Sequence, residues 1–248
     1  MLSAPEAFMA VANATAAIVQ NAPPYVTYHV HAVFHAAGEG TVDRTVIVRS
    51  EDGVAVVHDD ESGKDVLRPA FPAPPTFDAL AKFKLAGEIS IGGGKGKKRD
   101  GDMRITNIRP LHYETAASSA DAISRSVKGY VVTYAEDATP ALGHLHLQRN
   151  ALMQDAYWMR DVWYDPATLV PTRILWGGHS DFSLDARYTT VASHWLLQSI
   201  HVAAVVHAPL WLGRMTVAIG GTYDGYSFSD TAPDPRLIPT PAASASPE

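Results

Sequence analysis

The sequence contains no cysteine. That single absence excludes disulfides, thiolate zinc sites and cysteine nucleophiles. No apolar run approaches the roughly 20 residues that a membrane-spanning helix needs. Basic side chains are outnumbered, 20 against 26 acidic, giving a formal charge of −6, so the footprint of a nucleic-acid binder is missing. Charged residues make up 19% and hydrophobic residues 46%, the balance of an ordinary globular chain. The opening MLSAPEAFMA has neither a positive n-region nor an apolar h-region, so no export signal is read there. If the protein is exported, its leader is expected to have been removed.

Catalytic signatures are equally scarce. There is no H-E-x-x-H and no G-x-S-x-G elbow, and GGHSD (177–181) reads as a polar turn that happens to contain Ser, His and Asp. IGGGKGKKRDGD (91–102) fails as a phosphate loop. No glycine stands five positions before either Gly-Lys pair, and no Ser or Thr follows the lysine. Lys95, Lys97, Lys98 and Arg99 therefore read as a solvated loop. HDDES (58–62) lacks the alternating oxygen spacing of a calcium loop and reads as a hairpin tip.

What is present is mainly β. At 248 residues the chain is long enough for one all-β domain with a sizeable core, expected over 1–230. Residues 3–22 read as a helix with a Ser3/Glu6 capping box and Pro5 in the first turn. Phe8, Val11, Ala12, Ile18 and Val19 form its apolar stripe, with Thr15 the only polar member. A helix with one apolar stripe needs a surface to lie on. Alternating strands supply it: YVTYHVHAVFH, TVDRTVIVRS, VAVVHDD and DVLRP follow one another through short turns, as in an antiparallel meander. The proline-rich 69–78 leads into a short helix expected at Asp78–Ala86. The β-pattern resumes at DMRITNI and LHYETAA and then runs from YVVTYAED to RMTVAIGGTYDGYSFS. The tail from 231 to 248 carries five prolines with alanine and serine, and is expected to be disordered.

Three histidines fall within HVHAVFH (29–35), and a second H-x-H stands at His144 and His146. In a strand, successive side chains take opposite faces. Val26, Tyr28, Val30, Ala32 and Phe34 then share one face, while His29, His31 and His35 share the other. Likewise Leu145 and Leu147 oppose His144 and His146. If the two strands were neighbours, four imidazoles would make a zinc site. No carboxylate stands at ligand spacing in sequence beside either pair, and the polar side of amphipathic strands is the preferred reading. No cofactor is implied. In AYWMRDVWYD, alternation puts Tyr157, Met159 and Trp163 on one face and Trp158, Val162 and Tyr164 on the other. A strand apolar on both sides is either core or the wall of an apolar cavity.

The layout of these elements resembles the LolA/LolB-like lipoprotein-carrier family. MRDVWYDPATLVPTRILW (159–176) is similar to that family's strand, D-P-A-T turn and strand, and GGTYDGYSFSD (220–230) to its aromatic closing strand. The resemblance implies a curved antiparallel sheet, an incomplete β-barrel, with an N-terminal amphipathic helix and a short helix covering the concave face. It also implies a non-enzymatic carrier of lipid, acyl chains or other apolar ligands in the periplasm or cell envelope. Peripheral contact with membrane or a partner protein would accompany that role. Burying apolar ligand surface gains roughly 25 cal/mol per Å² without a catalytic group. The expected ligand-facing residues are Val26, Tyr28, Val30, Phe34, Val46, Val48, Leu145, Leu147, Trp158, Trp195 and Leu197, with Phe8, Val11 and Ile18 on the lid. Arg44 and Arg49 are equal candidates for the arginine that holds the family's lid. Two other readings remain: a histidine-rich metal-binding protein or metal-dependent hydrolase, and an envelope scaffold whose sheet has no cavity.

Overall fold

The computed structural model describes residues 2–20, 23–35, 39–51, 54–60, 63–69, 128–137, 141–151, 157–178, 181–207 and 214–238. The short helix expected at 78–86, the lysine loop and the strands expected at DMRITNI and LHYETAA lie outside these residues. Helix α1 spans Ala4–Gln20. Its start is the expected capping box: the Ser3 backbone N–H donates to Glu6 Oε2 at 2.8 Å, and the Ser3 hydroxyl donates to the same oxygen at 2.7 Å. These bonds hold the Glu6 carboxyl below its ordinary value.

Strands β1 (Tyr25–His35), β2 (Glu39–Arg49), β3 (Val54–Asp59) and β4 (Lys64–Pro69) form the first meander. The second comprises β5 (Tyr130–Tyr134), β6 (Gly143–Arg149), β7 (Tyr157–Asp165), β8 (Val170–Gly178), β9 (Ser183–Val191), β10 (His194–His207) and β11 (Arg214–Ser229). The two join because the last strand pairs with the first. One open antiparallel sheet results, in the order β4-β3-β2-β1-β11-β10-β9-β8-β7-β6-β5, and it does not close into a barrel. The D-P-A-T turn is built as its sequence implies. Asp165 Oδ1 accepts the Ala167 N–H at 2.9 Å and Thr168 donates to Oδ2 at 3.0 Å, while Leu169 takes a positive φ.

Register shifts interrupt the ladders at Thr27/His29, Leu197/Ser199, Met159/Asp161 and Trp163/Tyr164. Each inserts a residue into one strand, which bends the sheet and adds twist. At the first, Gly225 on β11 adopts φ +63°, a conformation glycine reaches without a Cβ clash. The shift at Met159/Asp161 overturns simple alternation in β7. Met159, Val162 and Tyr164 all enter the core, and Trp163 turns to the opposite face beside Asp161.

The C-terminal segment also departs from expectation. The chain stays with the sheet beyond residue 230, through a single 3-10 turn at Pro235–Leu237 capped by Asp234. Leu237 is fully buried, and Arg236 donates to Asp65 Oδ2 on β4 at 2.6 Å. Arg49 donates to the Leu237 carbonyl. An apolar anchor and two guanidinium contacts outweigh the proline-rich composition here. Residues 239–248 lie outside those described.

Candidate functional site

Helix α1 lies across one face of the sheet, the inner face, touching β5, β8 and β10. Phe8 and Val11 are fully buried there, and Phe8 meets the ring of Tyr130 edge-on at 6.1 Å. Thr15, the one polar member of the stripe, is satisfied within the helix by donating to the Val11 carbonyl at 2.8 Å. The stripe presents an apolar surface to the sheet. Burying that surface, at about 25 cal/mol per Å², favours the docking, and Tyr134 of β5 donates to the Leu2 carbonyl at 3.0 Å just before the helix.

The expected inner-face residues assemble into two groups rather than one. Phe8, Val11, Leu145, Leu147, Trp195 and Leu197 belong to a larger core under α1, with Ile18 and Trp158 packed at its margin. Val26, Tyr28, Val46 and Val48 form a smaller core with Ala55 and Val57, and Val30 packs against it. Tyr223 of β11 packs against both and joins them into one apolar face. Phe34 lies in β1 opposite Gly40 and Ile219; its side chain is not among those described. Of the two candidate arginines, Arg44 stands opposite Val30 and has the parity of Val46 and Val48, so it belongs to the inner face. Arg49 has the other parity and is engaged with the C-terminal segment.

Most polar tips in this face have partners. Tyr130 accepts the Met159 N–H at 2.9 Å, Trp195 Nε1 donates to the Pro171 carbonyl at 2.7 Å, and Tyr226 donates to the Leu197 carbonyl. Two tips do not. Trp176 Nε1 on β8 and the Tyr188 hydroxyl on β9 are buried without a hydrogen-bond partner. Their residues are only 2% and 5% exposed. Burial raises the Tyr188 hydroxyl's pKa far above its ordinary value, so it stays a neutral donor. Leaving such a donor unpaired costs on the order of 1–3 kcal/mol. Alternation places both residues in the core, but their unpaired state depends on tertiary packing that no local pattern reports.

The outer face carries the histidines of β1, β3 and β6, each beside a carboxylate from a neighbouring strand or loop. His31 Nδ1 faces Asp43 at 2.6 Å, His29 Nε2 faces Asp60 at 3.2 Å, and His58 Nδ1 faces Asp65 at 2.6 Å. On β6, His144 Nε2 and His146 Nδ1 both face Asp161 Oδ1, at 3.2 and 3.0 Å, and His144 Nδ1 meets Asp137. The sequence has no carboxylate at ligand spacing beside either pair, and other strands and loops supply them instead. Asp161 is brought opposite His146 by strand register, which sequence spacing does not show. His144 is also buried rather than solvated, stacked at 4.2 Å on Trp163, with the Arg173 guanidinium 4.3 Å from the same ring. Arg173 in turn makes two 2.8 Å bonds to Asp185, which raise its pKa.

The two H-x-H pairs do not meet. β1 is fourth and β6 tenth in the sheet order, six steps or roughly 29 Å at ordinary strand spacing. Among the described residues, no group of three or more His, Asp or Glu side chains is arranged to hold a metal ion.

No family model matches the chain, and no curated protein matches it. Several solved structures are similar. A DUF1329 family protein from Desulfovibrio piger aligns at 10% identity over 92% of this chain and 94% of its own, with a TM-score of 0.39. A LolA superfamily protein from Nitrosomonas europaea aligns at 11% identity over 94% of this chain and 96% of its own, with a TM-score of 0.40. A domain described as an outer membrane lipoprotein-sorting protein, from Vibrio parahaemolyticus, aligns at 9% identity over 89% and 91%, with a TM-score of 0.38.

Proposed function

We propose that the chain is a non-enzymatic binding or carrier protein of the bacterial cell envelope. It holds a lipid, acyl chain or other apolar ligand against the inner face of the sheet. The observation that carries this reading is the continuity of that face. Two apolar cores on opposite halves of an open sheet are joined through Tyr223, and α1 is seated on the larger by its apolar stripe. A cover held chiefly by the hydrophobic effect exchanges readily for another apolar surface, because the force is non-directional. The ordering of the outer-face groups also favours binding over catalysis: each described histidine named above is matched to a carboxylate in a structural pair, and none lines the apolar face.

The test is titration with an environment-sensitive fluorescent lipid probe. The protein is expected to give a saturable emission increase, and Val30→Glu to abolish most of it. Val30 stands opposite Arg44, so the new carboxylate has a partner and the fold is kept while the apolar face gains charge. No saturable signal from the parent protein, or one unchanged by Val30→Glu with the far-UV spectrum intact, overturns the reading.

A further inference from the structure

The core under α1 holds two described polar groups that the resting fold leaves without hydrogen-bond partners. Trp176 Nε1 and the Tyr188 hydroxyl lie on adjacent strands within the core that α1 covers. Their surroundings show that missing partners are not the rule in this core. Trp195, whose ring stacks on Tyr188 at 4.3 Å, spends its N–H on the Pro171 carbonyl. Thr15 of α1 is satisfied by its own helix. Neither supplies an acceptor to the two donors.

From this we infer that the inner face of β8 and β9, in the core that α1 covers, is a ligand subsite for uncharged carbonyl groups, the ester or amide oxygens of a long-chain compound. The inference rests on the apolar-ligand reading above and names the polar part of that ligand.

The chemistry selects the class. Both groups are donors, so the ligand must bring acceptors. The acceptor is uncharged because the buried polar or charged residues described are Thr15, His144 and Asp161, and the last two lie on the outer face. A carboxylate or phosphate carried beneath α1 would be desolvated with no buried cation described in that core, since the inner-face Arg44 lies on β2, four strands from β9, and that costs far more than two neutral donors return. A hydrocarbon would leave both donors unpaired, as they are now. Only a neutral acceptor improves on the resting state. The spacing fits an extended ligand. Trp176 stands opposite Leu184, four residues from Tyr188 on β9, so the two donors are rooted about 13 Å apart along the strands. A chain lying parallel to β8 and β9 passes both.

The experiment compares a pyrene-labelled alkane, the methyl ester of a pyrene-labelled fatty acid of equal length and the corresponding free acid, with the parent protein and Tyr188→Phe. The parent is expected to bind the ester on the order of threefold to tenfold more tightly than the alkane, and to bind the acid at neutral pH no better than the alkane. Tyr188→Phe is expected to lower the ester's advantage while leaving alkane affinity unchanged. It is also expected to raise the melting temperature of the unliganded protein, because it deletes an unpaired buried hydroxyl. Equal binding of ester and alkane by the parent overturns the subsite but leaves the apolar-ligand reading standing. Absence of binding by all three probes overturns both. A fall in melting temperature on Tyr188→Phe shows that water or protein already satisfies the hydroxyl, and that also overturns the subsite.

Discussion

Gly143 shows how closely a single position is specified. A Cβ built there would fall within the ring of Tyr164, its register partner on β7, and that ring is itself buried. Gly143→Ala is expected to destabilise the protein by about 1–3 kcal/mol as an overpacked core, a drop of roughly 2–12 °C in melting temperature for a chain of this size. Adding Tyr164→Leu should recover part of the loss, and a double-mutant cycle measured by denaturant unfolding reads the coupling directly. No coupling would mean that the ring does not set the need for glycine. Other residue-scale features vary in how far the sequence shows them. The parity of Leu145 and Leu147 against His144 and His146 is plain, since alternation alone determines it. The pairing of His146 with Asp161 is not, because it depends on how β6 and β7 slide past one another. Trp163 is legible as a large ring and illegible as an outer-face residue, because one extra residue, Arg160, reverses the parity that precedes it.

Elements were more legible than contacts. Period-two alternation between turn residues gives strands whose bounds fall within three residues of those observed from β1 to β4 and from β5 to β11. The Ser3/Glu6 box and Pro5 located the start of α1. The tail from 231 is less legible, because its proline-rich composition masks a local signal: Asp-Pro followed by Arg-Leu is a capped turn with an apolar anchor, and Asp234 accepts the Arg236 N–H at 2.8 Å. That anchor should be acid-sensitive. The Asp65 carboxyl is held below its ordinary value of 3.8 by its bond to His58 and then by Arg236, and Asp234 is lowered by Arg236. A carboxyl lowered in the folded state stabilises it above the unfolded value and ceases to do so as pH falls through the folded one. The Pro235–Leu237 turn is therefore expected to hold at neutral pH and to loosen below about pH 4. Leu237 methyl resonances followed during acidification check this, with Asp65→Asn loosening the turn already at pH 7. If the methyls keep their native shifts until the whole sheet unfolds, the ion pairs do not hold the anchor.

At the scale of the whole molecule, the sheet is two meanders that depend on one seam. β11 pairs with β1 on one side and β10 on the other, and Tyr223 carries the apolar contact across from the larger core to the smaller. Its ring lies 6.0 Å from that of Tyr28, and burial pushes its hydroxyl up to about 12. Sequence showed the strands on both sides of this seam but not that the last would close on the first, since nothing local distinguishes that pairing from others. The seam makes a prediction about cooperativity. Four of the five tryptophans, Trp158, Trp163, Trp176 and Trp195, sit on β7, β8 and β10, so tryptophan fluorescence reports mainly on the half of the sheet that holds the larger core, while far-UV circular dichroism reports on every strand. In the parent protein the two signals should fall together in guanidinium chloride, as a single cooperative unit requires. Tyr223→Ala removes the shared side chain at a cost of about 2–4 kcal/mol, borne mainly by the smaller core, which has fewer buried residues to spare. The dichroism should then begin to fall at lower denaturant than the tryptophan signal, whereas Tyr223→Phe, which keeps the ring, should leave them coincident. Coincident curves in Tyr223→Ala would show that backbone pairing between β1 and β11 couples the halves unaided, and that the two cores act as one without their shared tyrosine.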